Sequence, residues 1–245
     1  MDSSTHTSAA FKRGSILLFF VLTGAFAILY ILNEPLYRAI ISEDHLVEWL
    51  TFAALFSAGM VSLWVAWQIK LRYHYLHWFF ILFLGFNLLA GFEEVSWGQR
   101  VFGFSSNEFF QEYNDQKETN LHNTFQGILQ IKTKHLALLV LFIYGVIMPW
   151  LKQRNKLPQY LVERYQFIIP PVFLRIPFLL GTVLMLDFQT GYEEEIGELY
   201  YSLCFLILML WNGRLLKHTP AFAPRGITVP FRPAPLLSAH SKKVS

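Results

Sequence analysis

Ser15-Ile16-Leu17-Leu18-Phe19-Phe20-Val21-Leu22-Thr23-Gly24-Ala25-Phe26-Ala27-Ile28-Leu29-Tyr30-Ile31-Leu32 runs from end to end without a charged side chain. The hydrocarbon layer of a bilayer is ~30 Å thick and takes roughly 20 apolar residues to cross as a helix. Lys12 and Arg13 precede the run, and Ala25-Phe26-Ala27 has the look of a signal-peptide cleavage site. The run is nevertheless longer than the ~7–15 apolar residues of a signal-peptide core. The expectation is an uncleaved signal anchor that forms the first of several spans.

Five more apolar runs follow, at Leu46–Ile69, Leu76–Gly91, His135–Leu151, Phe167–Phe188 and Glu195–Gly213. Hydrophobic residues make up 54% of the 245 and charged ones only 15%. A soluble domain carries roughly 25% charge, so the chain reads as an all-α polytopic membrane bundle of about six spans. Pro170, Pro171 and Pro177 should kink the fifth span or delay its helical start, because proline donates no backbone hydrogen bond. The seven tryptophans fall near predicted span ends, as interfacial aromatics do.

Charge fixes an expected orientation. Lys12, Arg13, Lys70, Arg72, Lys152, Arg154, Lys156, Arg164, Arg214 and Lys217 all occupy one side. The other side holds Arg38, Arg100, Lys117, Lys132 and Lys134, together with every Asp and Glu except Asp2 and Glu163. The positive-inside rule then predicts both termini in the cytoplasm. The expected organisation is a cytoplasmic segment 1–14, a membrane domain 15–218 with an outer loop 93–134, and a disordered, basic, proline-rich cytoplasmic tail 219–245 without helical periodicity. The net charge of +3 is an average over segregated loops, so nucleic acid is excluded as a partner. The single cysteine, Cys204, offers neither a disulfide nor a thiolate metal site.

Polar chemistry collects on the outer, periplasmic side. Counted from the cytoplasmic boundaries, Glu93, His135 and Glu198 each lie roughly 16–17 residues along a helix, about 24–25 Å in. Ionisable groups at that depth face a bundle interior or a watery cavity, and function is the default suspicion. The expected catalytic residues are Glu93, Glu94, Glu198 and Arg100, and the expected metal ligands are His45, Glu48, His122 and His135. A structural alternative stands beside this for Glu93: on a continuing helix it shares a face with Trp97 and Arg100, and an ion pair could pin the helix end. Glu193 to Glu195 read equally well as a solvated acidic turn. Ser105 and Glu108 have capping-box spacing and predict a short interfacial helix carrying Phe109 and Phe110.

The string Glu93-Glu94-Val95-Ser96-Trp97-Gly98-Gln99-Arg100, with Asn107-Glu108-Phe109-Phe110 and Asn120-Leu121-His122-Asn123, resembles a group of uncharacterised bacterial multi-pass membrane proteins. That resemblance implies an inner-membrane location and brings no activity with it. A looser similarity is to membrane hydrolases of the alkaline ceramidase type, whose paired-histidine zinc signature is absent here. Three functions are open at this point. One is a hydrolase or transferase on a lipid or lipid-linked substrate, using Zn²⁺ or Mn²⁺. The second is a proton- or cation-coupled carrier, which needs polar residues continuing inward from the acidic mouth. The third is a non-catalytic subunit that docks a membrane partner protein.

Overall fold

A computed structural model describes residues 3–42, 45–113, 133–186, 193–218 and 222–223. The described chain is helical, with no strand among these residues. α1 spans Ser3–Leu32, α2 Glu34–Ile41, α3 Leu46–Tyr73 and α4 Trp78–Glu94. α5 joins Thr133–Phe142 to Met148–Gln153 through a π-helical turn at Ile143–Ile147. α6 is Arg175–Leu184 and α7 is Glu193–His218.

Four stretches are long and apolar enough to cross a membrane: Ala9–Leu32, the part of Glu34–Tyr73 that holds α3, His135–Gln153 and Glu193–His218. α4 has 17 residues, so it reaches about 25 Å. Val172–Leu184 is shorter still. The prolines explain it: Pro171 is extended (φ −67°, ψ 148°) and a 3-10 turn Val172–Leu174 leads into α6. The delayed start expected of the fifth run is therefore observed.

Helix ends follow local chemistry. Asn33 breaks α1 from α2, and its side chain accepts from the Leu36 N–H (3.1 Å), with proline in the first turn of α2. His74 closes α3 in a left-handed conformation (φ 62°). Within α5, Pro149 has no N–H to give the preceding turn, and the π-helical turn lies immediately upstream.

α7 is the central helix. Two-thirds (67%) of its most apolar window is buried, against 11% for α1 and for α5. It packs on α3 and α6, and α4 packs on α3 and reaches α7 through Phe83 and Phe86 against Phe205. Small residues set these approaches. A Cβ at Gly213 would stand 2.7 Å from Trp64, and one at Gly197 3.0 Å from the Gly181 carbonyl. Close backbone contact through small residues is how helices pack where no water drives them together. Leu17, Phe20 and Val21 of α1, Leu82 of α4 and Leu136 of α5 point outward, and an apolar exterior of this kind is compatible with lipid.

One end of the bundle gathers cations over aromatic rings: Lys12 over Trp211, Arg214 over Phe11, Lys217 over Trp64 and Lys70 over Trp67. Arg72 donates to the Leu216 carbonyl there, and the Tyr75 hydroxyl donates to the Phe222 carbonyl (2.8 Å). Phe222 is buried against His77 and Phe80. Phe222, within the stretch expected to be a disordered tail, is therefore docked on the bundle.

Candidate functional site

The opposite end carries the carboxylates. α3 and α7 begin there and α4 ends there, so Glu48, Glu94, Glu195 and Glu198 come from three helices to one place. Carboxylate oxygens of Glu94, Glu195 and Glu198 all lie within 4.8 Å of one another. Glu94 and Glu198 are hydrogen-bonded through their side chains, and the charges of Glu195, Glu48 and Glu93 reach Glu94. A carboxyl–carboxyl hydrogen bond needs one proton between the two groups, since an ionised carboxylate only accepts. Oxygens this close repel unless a proton or a cation lies among them.

The helix dipoles differ for the members of the cluster. Glu195 sits in the first turn of α7, where the positive helix end favours anions. Glu94 is the last residue of α4, where the dipole opposes it. Placing the α4 terminus beside the α7 start sets Glu94 against the favourable end of a neighbour. Tyr37 of α2 is buried nearby, within electrostatic reach of Glu193.

The chain leaves α4 by an uncommon route. Ser96 (φ 44°), Trp97 (φ 54°) and Gly98 (φ 77°) are consecutive left-handed residues. Only glycine takes this conformation without steric cost, and non-glycine residues held there cluster at functional sites. The turn brings the Trp97 Nε1 to 2.6 Å from Glu93 Oε1, as donor, and stacks the indole on Phe92 (5.5 Å, 15°). The helix stops at Glu94, so the alternative of a continuing helix with Glu93, Trp97 and Arg100 on one face is not the arrangement seen. Trp97 still meets Glu93, but through a reversed turn. The Arg100 backbone lies in the short helix Gln99–Phe102, and its side chain is outside the described residues.

Beyond the turn, Ser106 donates to the Gln99 side chain (3.0 Å) and Gln111 donates to the Ser106 carbonyl (2.7 Å). The short helix Glu108–Tyr113 is present as expected. Its cap is Asn107, whose side chain accepts from the Phe110 N–H (3.2 Å), and not Ser105.

The described histidines do not join this group. Among the described His, Cys, Asp and Glu, the one group close enough to share an ion is Glu94, Glu195 and Glu198. His45 is exposed with its Nδ1 3.1 Å from the Ser42 hydroxyl. His135 is exposed at the start of α5, which packs mainly on α6. Depth along a helix sets a level in the membrane but not a bearing around the bundle. His122 lies outside the described residues.

Sequence reading left Glu195 open between an acidic turn and the site, although Glu195 and Glu198 have the i, i+3 spacing that shares a helix face. Thr51 holds the same spacing to Glu48. It is 1% exposed and its hydroxyl has no hydrogen-bond partner. Asn87, two turns below Glu94 on α4, is fully buried. Its Nδ2 donates to the Phe83 carbonyl while its Oδ1 has no partner.

Compared with protein-family models, curated proteins and solved structures, the chain gives no match, so its chemistry is read from its own residues.

Proposed function

We propose that the chain is a multi-pass inner-membrane protein of six spans with both termini in the cytoplasm. In this reading its outward-facing carboxylate cluster binds a divalent cation and works as a hydrolase or transferase on a lipid or lipid-linked substrate. The observation that carries it is the approach of the Glu94, Glu195 and Glu198 oxygens to within 4.8 Å. α4 and α6 cross as short helices completed by their flanking segments. A cation held by these carboxylates would polarise an ester or phosphoryl oxygen of a headgroup, and Glu48 or Glu93 is placed to accept the proton of an attacking hydroxyl. Phe92 and Trp97 supply an aromatic rim for an acyl or polyprenyl chain.

The test is lipid turnover. Purified protein in nanodiscs of bacterial polar lipid, loaded with Mn²⁺, is followed by mass spectrometry beside Glu198→Gln. Turnover in wild type that is lost in the variant supports the enzyme reading. The buried oxygen of Asn87 favours a second reading, a proton- or cation-coupled carrier. Cation flux into vesicles without lipid turnover would select it. Neither activity, with a membrane protein retained on purification, would leave the subunit role.

A further inference from the structure

We propose that the Thr51 hydroxyl is a donor in the carboxylate site, and that this site takes a hard divalent cation of the Mn²⁺, Mg²⁺ or Ca²⁺ class through oxygen donors alone. This rests on reading Glu94, Glu195 and Glu198 as a cation site, and it names both the missing donor and the kind of ion.

Thr51 stands out against the other buried hydroxyls. In a membrane helix a serine or threonine usually returns its hydrogen bond to the carbonyl one turn back. Ser15 does so to Phe11, Thr23 to Phe19 and Thr182 to Phe178. Ser202 bonds to Leu199, and Ser62 reaches across to the Phe80 carbonyl. Among the described residues, Thr51 is the one buried hydroxyl with no partner. A buried hydroxyl left so is destabilising, so a partner from outside the protein should meet it.

Packing places that hydroxyl level with the carboxylates. A Cβ at Gly91 would lie 3.4 Å from Leu55 and 3.5 Å from Phe52, so α4 touches α3 there. Moving outward from that contact by about one turn reaches Glu94 on α4 and Thr51 on α3. α3 and α7 run in the same direction and touch at Trp64 and Gly213. Equal steps back from that contact bring Thr51 level with Tyr200, about 3 Å along the axis from Glu198. Thr51 also lies on the buried face of α3, between Val47 and Ala54.

The donor chemistry sets the ion. The groups that converge are carboxylates, with no histidine or cysteine among the described members, and Thr51 would add a hydroxyl. Oxygen-only sets suit Mn²⁺, Mg²⁺ and Ca²⁺, whereas zinc sites are built mainly from nitrogen and sulfur. Three carboxylates and one neutral hydroxyl leave coordination positions for water or a substrate oxygen.

Mn²⁺ is the probe. The full-length protein is stripped with chelator, titrated with Mn²⁺ and read by electron paramagnetic resonance, for wild type, Thr51→Val, Thr51→Ser and Glu198→Gln. The expectation is one bound Mn²⁺ in wild type, weakened about tenfold or more in Thr51→Val and retained in Thr51→Ser. Millimolar Mg²⁺ or Ca²⁺ should displace it, and the wild-type spin-echo spectrum should lack nitrogen modulation. Wild-type affinity in Thr51→Val, with loss in Glu198→Gln, overturns the inference and leaves the cation site standing. Nitrogen modulation overturns the oxygen-only donor set, and this holds even if Thr51→Val does not fold. No bound Mn²⁺ in wild type sinks the cation site and the inference together.

Discussion

The Trp97 indole nitrogen donates to the Glu93 carboxylate (2.6 Å) across a turn in which Ser96, Trp97 and Gly98 are all left-handed. The hydrogen bond and the stack on Phe92 hold a backbone that the side chains themselves disfavour. Trp97→Phe keeps the stack and removes the donor. It should lower the thermal stability of the purified protein by about 1–2 kcal/mol, the usual loss for a hydrogen bond to a charged group in a partly exposed place. An unchanged melting temperature would show that the bond contributes nothing to the turn.

Gly98 carries the larger positive φ (77°), and a Cβ there would stand 3.0 Å from the Phe102 ring. Gly98→Ala should destabilise by about 1–2 kcal/mol through left-handed strain. It should also weaken any Mn²⁺ binding, because the turn fixes the α4 terminus that presents Glu94. Alanine at this position with full stability and full binding would mean that the turn is not a constraint.

Much of the fold was legible because its signals are long and repetitive. Runs such as Ser15–Leu32 leave little choice but a helix, and Pro170 and Pro171 mark the late start of α6. The site was legible in composition and only partly in membership. Glu93 and Glu198 could be placed by depth, but depth gives no bearing around the bundle, and His135, counted to a similar depth, is exposed on α5, which packs mainly on α6. The turn after α4 was not legible for a different reason. Val95, Ser96 and Trp97 have no helix-breaking signature, and the left-handed turn is held by the Trp97 side chain against Glu93 and Phe92. Phe222 was missed because one anchoring aromatic in a proline-rich tail has no periodicity to read.

His77 lies in the turn before α4, 1% exposed, enclosed by Tyr75, Phe80 and Phe222, with no partner for Nδ1. Burial pushes its pKa down from 6.5 to about 4. The unfolded chain thus binds a proton on this residue at a higher pH than the folded one. Stability should fall as pH drops from about 6.5 towards about 4, by on the order of 2–3 kcal/mol, and level off below. His77→Phe should flatten that part of the stability–pH curve measured by thermal unfolding in detergent. Phe222→Ala, which opens the pocket to water, should shallow it. A wild-type slope carried over intact into His77→Phe would place the titrating group elsewhere.

Gly145 forms the floor of the contact between α5 and α6. A Cβ there would fall 2.2 Å from the Phe178 ring, and Phe178 is itself fully buried. Gly145→Ala should destabilise by about 1–3 kcal/mol through overpacking, and Phe178→Leu should recover part of that loss when combined with it. Additive losses in the double variant would show that the two residues do not press on each other.

The carboxylate cluster should behave as a site that sacrifices stability when empty. Glu94, Glu195 and Glu198 hold their oxygens within 4.8 Å, and like charges that close oppose folding unless a proton or a cation intervenes. Replacing one member by its neutral isostere removes a repulsive charge and keeps the shape and a hydrogen-bonding group. In chelator at neutral pH, Glu195→Gln should therefore melt higher than wild type, by about 1 kcal/mol or a little more. With Mn²⁺ present the order should reverse, because ligand binding stabilises the native state in proportion to its affinity and the variant has lost a ligand. Thermal melts of both proteins, each with chelator and with Mn²⁺, give four midpoints that decide it. A variant less stable than wild type in chelator would mean that Glu195 is a structural anchor of the α7 start. A crossing of the two orders is what a cation site requires.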